Sequence, residues 1–277
     1  MKRLLILLLG SCMLGTSVSA QKSWEVGPFI GCSFYIGDLN PAGFFDKFTK
    51  FAAGGVVRYN INNRFSARAN LLFGSVTGDD AQSSSASQRE RNLNFKSPID
   101  ELSAQMEFNF LEYELGNPRH SFTPYIFAGL GAFRMDPEGE LNGVWADLQP
   151  LGTEGQGTPA NPTAPYHLIQ ACIPFGIGIK TSFSKSVCLS IEWGMRKTFT
   201  GYIDDVYGTY VSPADLLQYR GPNGPLAVAM ADQSLSNDKA ADAGSQRGNG
   251  KDDWYSFAGL MLTIQLHAHE GACPSYF

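Results

Sequence analysis

After Ala20 the chain has no apolar run approaching the ~18 residues that a spanning helix needs, and the longest, Tyr125 to Phe133 and Phe257 to Leu266, suit a tilted membrane strand instead. It has no basic surplus. Its formal charge is −5, and it becomes −7 once Lys2 and Arg3 are removed, so a nucleic-acid footprint is excluded. Its cysteines are scattered with no Cys-x-x-Cys spacing, and no disulfide framework is evident. A Walker A loop and a Gly-x-Ser-x-Gly elbow are both missing.

What is present begins with an export signal. Lys2 and Arg3 form a basic start, Leu4 to Leu9 an apolar stretch, and Val18-Ser19-Ala20 a small-residue cleavage site before Gln21. Cleavage at Cys12 as a lipoprotein would leave only eleven signal residues, so Ala20 is the expected site. The expected organisation is a signal peptide at 1–20, a barrel at 21–266 and a periplasmic tail at 267–277. Cys32, Cys172, Cys188 and Cys273 remain after cleavage. Export permits a disulfide among them, and spacing selects no pairing.

The dominant period is two. Phe65, Ala67, Ala69, Leu71 and Phe73 alternate with Ser66, Arg68, Asn70, Leu72 and Gly74. Leu102 to Phe110 and Val187 to Arg196 alternate in the same way, which is the signature of strands with one apolar side. Weaker strands are expected at Trp24–Tyr35, Phe51–Asn60, Phe122–Arg134, Tyr166–Lys180 and Trp254–Leu266, giving eight. Short links, such as Ile61-Asn62-Asn63 and Ser182 to Ser186, alternate with long ones at 37–50, 76–96, 135–165 and 200–253. The fold expected is an all-β, eight-stranded antiparallel transmembrane barrel with short periplasmic turns and long extracellular loops. Register can be tested by parity, because directly opposed residues share a face. Ile177 and Ile179 match the parity of Val187, Leu189 and Ile191, and Val57 and Tyr59 match that of Phe65 and Ala67.

Alternation does not say which face is wet, and a soluble barrel with a greasy interior would read the same. Charges confined to one side, unequal rims and aromatics near strand ends (Trp24, Tyr59, Phe65, Phe110, Trp254) favour lipid outside. The charges then meet in the lumen, and the expected network is Arg58, Arg64, Arg68, Glu107, Lys180, Glu192 and Arg196. Eight strands leave an interior just wide enough for side chains to fill, so a plug rather than a pore is expected.

The first strand ends in Tyr35-Ile36-Gly37-Asp38-Leu39-Asn40, and the chain ends in Cys273-Pro274-Ser275-Tyr276-Phe277. With Thr123 to Gly131 and Gly259 to Ile264, these patches resemble PorG-like proteins, small outer-membrane barrels of the type IX secretion machinery. The resemblance implies a structural or assembly component that contacts outer-membrane lipid and ring-forming periplasmic lipoproteins. The Cys273-Pro274 tail reads either as a periplasmic contact site, on the rim where ring partners would dock, or as a frayed terminus. The long segment 200–253 departs from that pattern, and an independent adhesin or envelope-stabilising barrel is the alternative. Locally, Gly37-Asp38 is also an ordinary turn signal.

Catalysis finds little footing. His120, His167, His267 and His269 lack the spacing that would place a base beside a nucleophile, although His167 sits where a lipid hydrolase site could lie. His267, His269, Glu270 and Cys273 could hold a soft metal only by converging, and Asp79-Asp80 and Asp204-Asp205 lack an EF-hand pattern. No enzyme activity, cofactor or metal is expected. Residues 76–96 and 231–251, rich in Ser, Asn, Asp and Gly, are expected to be solvated and to bury little.

Overall fold

The computed structural model describes residues 22–40, 48–236 and 243–266. The proposed cleavage site at Ala20 and Gln21, Cys273 and Pro274, and the tail 267–277 lie outside the described residues.

Eight strands close into a barrel: β1 Ser23–Ile36, β2 Lys50–Asn60, β3 Phe65–Asp79, β4 Asn94–Asn109, β5 Phe122–Met135, β8 Ile169–Ser182, β9 Val187–Thr198 and β10 Trp254–Leu266. Every neighbouring pair is antiparallel. β1 pairs with β10, and the β3–β4 pairing completes the ring, which leaves no barrel edge with unpaired backbone. A small hairpin, β6 Glu138–Leu141 and β7 Val144–Asp147, extends from the long-loop end of β4. Three short helices, α1 Ala86–Arg91, α2 Pro213–Tyr219 and α3 Gly224–Ala231, lie in the long loops.

The registers follow the parity of the sequence. Ile179 opposes Ile191, and Tyr59 opposes Ala67. Side chains of one parity line the outside: Ile30, Leu71, Leu102, Leu130, Ile177, Ile191 and Leu260 are between 46% and 71% exposed. Their neighbours of the other parity, such as Arg68, Glu107 and Glu192, are buried. The barrel is therefore turned inside out relative to a soluble protein, with a dry apolar belt outside and polar groups within. Aromatics mark the short-turn rim, where Trp24 packs on Tyr59 at 4.7 Å and Phe65 on Phe108 at 5.3 Å between ring centroids.

The lumen differs from the purely ionic interior expected. Its half nearest the long loops is an apolar core of Phe29, Val56, Leu72, Phe95, Ile99, Phe133, Phe257 and Met261. Loop residues Leu39, Leu93, Tyr166, Ile203 and Val206 pack onto the same cluster. The reason lies in strand length: β3 and β4 run on through Val76 and Phe95, a stretch whose Ser, Gln and Asn content disguises a continuing strand pair.

Segments 76–96 and 231–251 also bury more than expected: Val76, Asp80, Leu93 and Phe95 in the first, and Ala231, Ser234 and Arg247 in the second, are buried. Leu148 and Leu151 pack with Val211, Leu216, Ala227, Met230 and Ala231 in a second small core above the barrel. Ser212 caps α2 by accepting from the Asp215 amide at 3.1 Å, while its own hydroxyl donates to the Asp215 carboxylate. The described parts of the third and fourth loops thus form a folded cap.

Candidate functional site: the lumen ion network and the loop cap

Glu107 is the hub of the half of the lumen nearest the short turns. Its Oε1 lies 3.1 Å from both Arg58 Nε and Arg68 Nη1, and its Oε2 lies 2.7 Å from Lys180 Nζ. Arg58 continues to Glu25 at 2.9 Å, and Arg68 to Glu192 at 2.6 Å. All six side chains are at most 5% exposed. Three cations therefore face three carboxylates, and the cluster is electrically balanced.

The remaining lone pairs are also used. Thr263 and Asn60 donate to Glu25 at 2.6 and 2.5 Å, Tyr125 donates to Glu192 at 2.9 Å, and Arg68 donates twice to Gln105. These bonds help make a buried ion cluster tolerable, and Arg58 Nη2 is the cluster atom left buried without a hydrogen-bond partner. The same bonds explain the glycines facing inward on β8, because a Cβ on Gly178 would collide with the Tyr125 ring that reaches Glu192.

The register makes Glu107 indispensable to this arrangement. Arg58 and Arg68 are directly opposed across β2 and β3, a like-charge pair that is unfavourable by itself. Glu107, on β4, bridges both.

Arg196 belongs to a second pair, 2.9 Å from Glu101, whose carboxylate also accepts from Tyr255 at 3.0 Å. The Arg196 guanidinium sits 4.7 Å from the Phe257 ring centroid, at the boundary with the apolar core. Arg64, expected in the lumen, lies outside it. It occupies the turn between β2 and β3 and reaches Glu112 at 3.8 Å and the Phe110 carbonyl, half-exposed. Strand alternation has ended there, so parity no longer directs a side chain. Sequence reasoning missed Glu25 and Glu101, though both share the inward parity of their strands.

The Tyr35 to Asn40 motif lies under the cap. The Tyr35 hydroxyl is 2.5 Å from Asp204 Oδ2 and 2.9 Å from Asp253 Oδ1. Gly37 and Asn40 form a bridge, Leu39 is buried in the core, and Asn40 Nδ2 donates to the Tyr35 carbonyl. A Cβ at Gly37 would strike both the Tyr35 hydroxyl and the Asp253 carboxylate, so only glycine lets this turn cross them. The Asp38 carboxylate accepts from the Asn249 amide at 3.0 Å, and its carbonyl accepts from Gln88 and Arg91. The motif therefore pins the first, second and fourth loops together.

The cap's acids are held in unusual states. Burial pushes Asp204 up to about 8, helped by the nearby charge of Asp38 and opposed by the Tyr35 hydroxyl and Val206 amide. Burial raises Asp38 and Asp205 to about 6, with Asn249 and Arg247 respectively opposing the shift most. Asp253 is driven well above the usual range by burial and by Asp204. Asp205 accepts from Tyr166 at 2.8 Å and from Thr153, and Arg247 pairs with Glu154 at 3.2 Å. Asp80 is bound by Arg91 at 2.6 Å, and Asp79 takes the Ala81 amide and Gln82. The two acidic doublets that might have gripped calcium thus serve protein donors.

Among the described residues no group of three or more His, Cys, Asp or Glu is placed to hold a metal ion. His120 lies near the short-turn rim and His167 is exposed at the long-loop end of its strand, while His267 and His269 fall outside the described residues. Cys32, Cys172 and Cys188 are free thiols.

Comparison with known proteins gives a family. The family model described as "Domain of unknown function (DUF6089)" matches residues 2–146. No curated protein matches the chain. Among solved structures, the N-terminal β-barrel domain of Pseudomonas aeruginosa OprF aligns at 12% identity over 89% of this chain and 99% of its own, with TM-score 0.36. Neisserial surface protein A aligns at 10% identity over 88% and 97%, with TM-score 0.41. Ail, the attachment invasion locus protein of Yersinia pestis, aligns at 9% identity over 89% and 99%, with TM-score 0.39.

Proposed function

Since the chain belongs to the DUF6089 family, we propose that it is a sealed outer-membrane barrel with a structural and assembly role, and that it anchors a type IX secretion complex to its periplasmic ring-forming lipoproteins. The observation that carries the structural role is the filled lumen. The ion cluster around Glu107 occupies one half and the aromatic core around Phe257 the other. A barrel so filled conducts nothing and offers its surfaces instead.

The secretion assignment is supported by the Tyr35-x-Gly37-Asp38-Leu39-Asn40 segment, in which every residue named has a position in the loop-pinning turn. The rim available to periplasmic partners carries Phe110, Leu111 and Phe183, each at least half exposed. A non-enzymatic role belongs to the same proposal, and His167, the histidine placed where a lipid hydrolase site could lie, is exposed. A second reading, a surface adhesin or envelope stabiliser, is favoured by one observation: the described parts of the third and fourth loops pack around a core of their own above the barrel.

In-cell crosslinking followed by affinity purification of the full chain tests the proposal. Recovery of periplasmic lipoproteins through crosslinks at Phe110, Leu111 or Phe183 is the expected result. Crosslinks confined to the cap and none at the short-turn rim would favour the adhesin reading instead.

A further inference from the structure

The outward belt is not evenly filled. An apolar furrow of about 790 Å³ crosses the outside of β5, β8, β9, β10 and β1. On the reading that the barrel spans the membrane with its short turns in the periplasm, we propose that this furrow holds one acyl chain of an anionic glycerophospholipid of the periplasmic leaflet, its phosphate at the short-turn rim.

Short outward side chains set among long ones make the furrow. Cys32 and Ala258 are directly opposed on β1 and β10 and form its floor at one end, while Ile30, Ile177, Ile191 and Leu260 stand up as walls. The volume lies within the range of small-molecule sites, about 300–1,000 Å³.

Register gives the furrow a direction. Pro124 opposes Ile179, Ile179 opposes Ile191, Ile191 opposes Leu260, and Leu260 opposes Ile30. Both β5 and β1 start at the short-turn rim, and Pro124 is the third residue of β5 whereas Ile30 is the eighth of β1. The row therefore climbs away from that rim. With strands about 4.8 Å apart and tilted by about 40°, its four steps rise about 12 Å, close to half of the ~25 Å apolar band of such barrels. A furrow from one membrane surface to the midplane is the path of a single chain in one leaflet. A second barrel offers a convex belt and cannot reach into it.

Charge at the mouth selects the headgroup. Phe110 stands there, and its carbonyl accepts from the half-exposed Arg64. Lys185 in the β8–β9 turn and Arg119 in the β4–β5 turn are exposed on the same rim. The two turns touch, since a Cβ on Gly116 would strike the Lys185 backbone. Glu112 faces Arg64 at 3.8 Å, and Glu114 is held by Asn117 at 2.8 Å. Lys185 and Arg119 make no ion pair among the described residues. Around these turns three cations meet two carboxylates, and a surplus of positive charge beside hydrocarbon attracts an anionic lipid.

The test titrates the full chain in detergent micelles with dipalmitoyl phosphatidylglycerol, dipalmitoyl phosphatidylethanolamine, dioctanoyl phosphatidylglycerol and lipopolysaccharide, read by native mass spectrometry. One saturable dipalmitoyl phosphatidylglycerol per barrel is the expected result, bound more tightly than the ethanolamine lipid. Lys185→Gln should weaken it about fivefold, the effect of one basic residue beside an anionic headgroup. Ala258→Leu narrows the inner end and should weaken it about tenfold, the loss of roughly ten close carbon contacts, while the octanoyl lipid binds as before. Cys32→Leu, at the opposed position, should act in the same way and keeps the test open should Ala258→Leu not fold, which heat-modifiable gel mobility reports. Unsaturable uptake without headgroup preference, wild-type affinity in the folded leucine variants, tighter binding of lipopolysaccharide, or a dimer that excludes lipid would each overturn the proposal and leave the membrane reading intact. A chain that stays folded and monodisperse without detergent would sink both.

Discussion

Glu107→Ala should cost the barrel about 3–5 kcal/mol, the penalty expected when one partner of a buried ion cluster is deleted and the others stay charged. The substitution strands three cations. Arg58 and Arg68 are opposed in register and lose the carboxylate that separates them, and Lys180 loses its 2.7 Å partner. Glu25 and Glu192 remain, so the cluster passes from neutral to one net positive charge inside a low-dielectric wall. Replacing Glu112, whose partner Arg64 lies half-exposed at the rim at 3.8 Å, should cost less than about 1 kcal/mol, as surface pairs usually do. Urea unfolding in lipid vesicles, followed by heat-modifiable gel mobility, measures both. A loss at Glu107 no larger than at Glu112 would mean that the cluster contributes nothing to holding the barrel shut.

The cap should loosen as pH rises. The Tyr35 hydroxyl has one proton and two carboxyl partners, so one of Asp204 and Asp253 must itself be protonated to satisfy both contacts. Their folded values lie above the ordinary carboxylate range, so the folded cap binds protons more tightly than the unfolded chain does. The stabilisation is then complete only below about pH 4, the ordinary carboxylate value of the unfolded chain. It is lost as pH climbs through about 6, where Asp38 and Asp205 ionise, and about 8, where Asp204 does. Amides that donate to these groups, those of Leu39, Ile203, Val206 and Asn249, report the change directly. Between pH 5 and pH 9 their protection against hydrogen exchange, corrected for the intrinsic rate, should fall on the order of a hundredfold. Asp204→Asn supplies a permanent donor to Tyr35 and should flatten most of that slope. Protection that increases with pH would contradict the assignment.

How much of this was legible in the sequence depends on the element. Strands with a wet face and a dry face announce themselves, and the pairing of Ile179 with Ile191 follows from parity alone. The same counting places Arg58, Arg68, Glu107, Lys180, Glu192 and Arg196 on inward positions. It fails for Arg64, where the chain has already turned, and it passed over Glu25 and Glu101 because their strand ends looked less regular. The outer half of the barrel was hidden by composition. Val76 and Phe95 are separated by Ser, Asn and Gln, and only the folded pairing of β3 with β4 shows that they share a face. The cap was illegible for a different reason. Leu39, Ile203, Val206 and Leu216 recur with no period, and each is buried by contacts to segments distant in the chain. Gly37 could be read as a turn residue, but its crossing of Tyr35 and Asp253 joins positions more than two hundred residues apart.

The central claim is that Ile30, Leu102, Leu130 and Ile177 belong against acyl chains while the charges they flank are sealed within. Withdrawing detergent from purified, folded protein and following it by sedimentation velocity tests this most directly. Rapid self-association in plain buffer, reversed by adding back micelles or lipid, is the expected result. A monodisperse, folded monomer in buffer alone would contradict it.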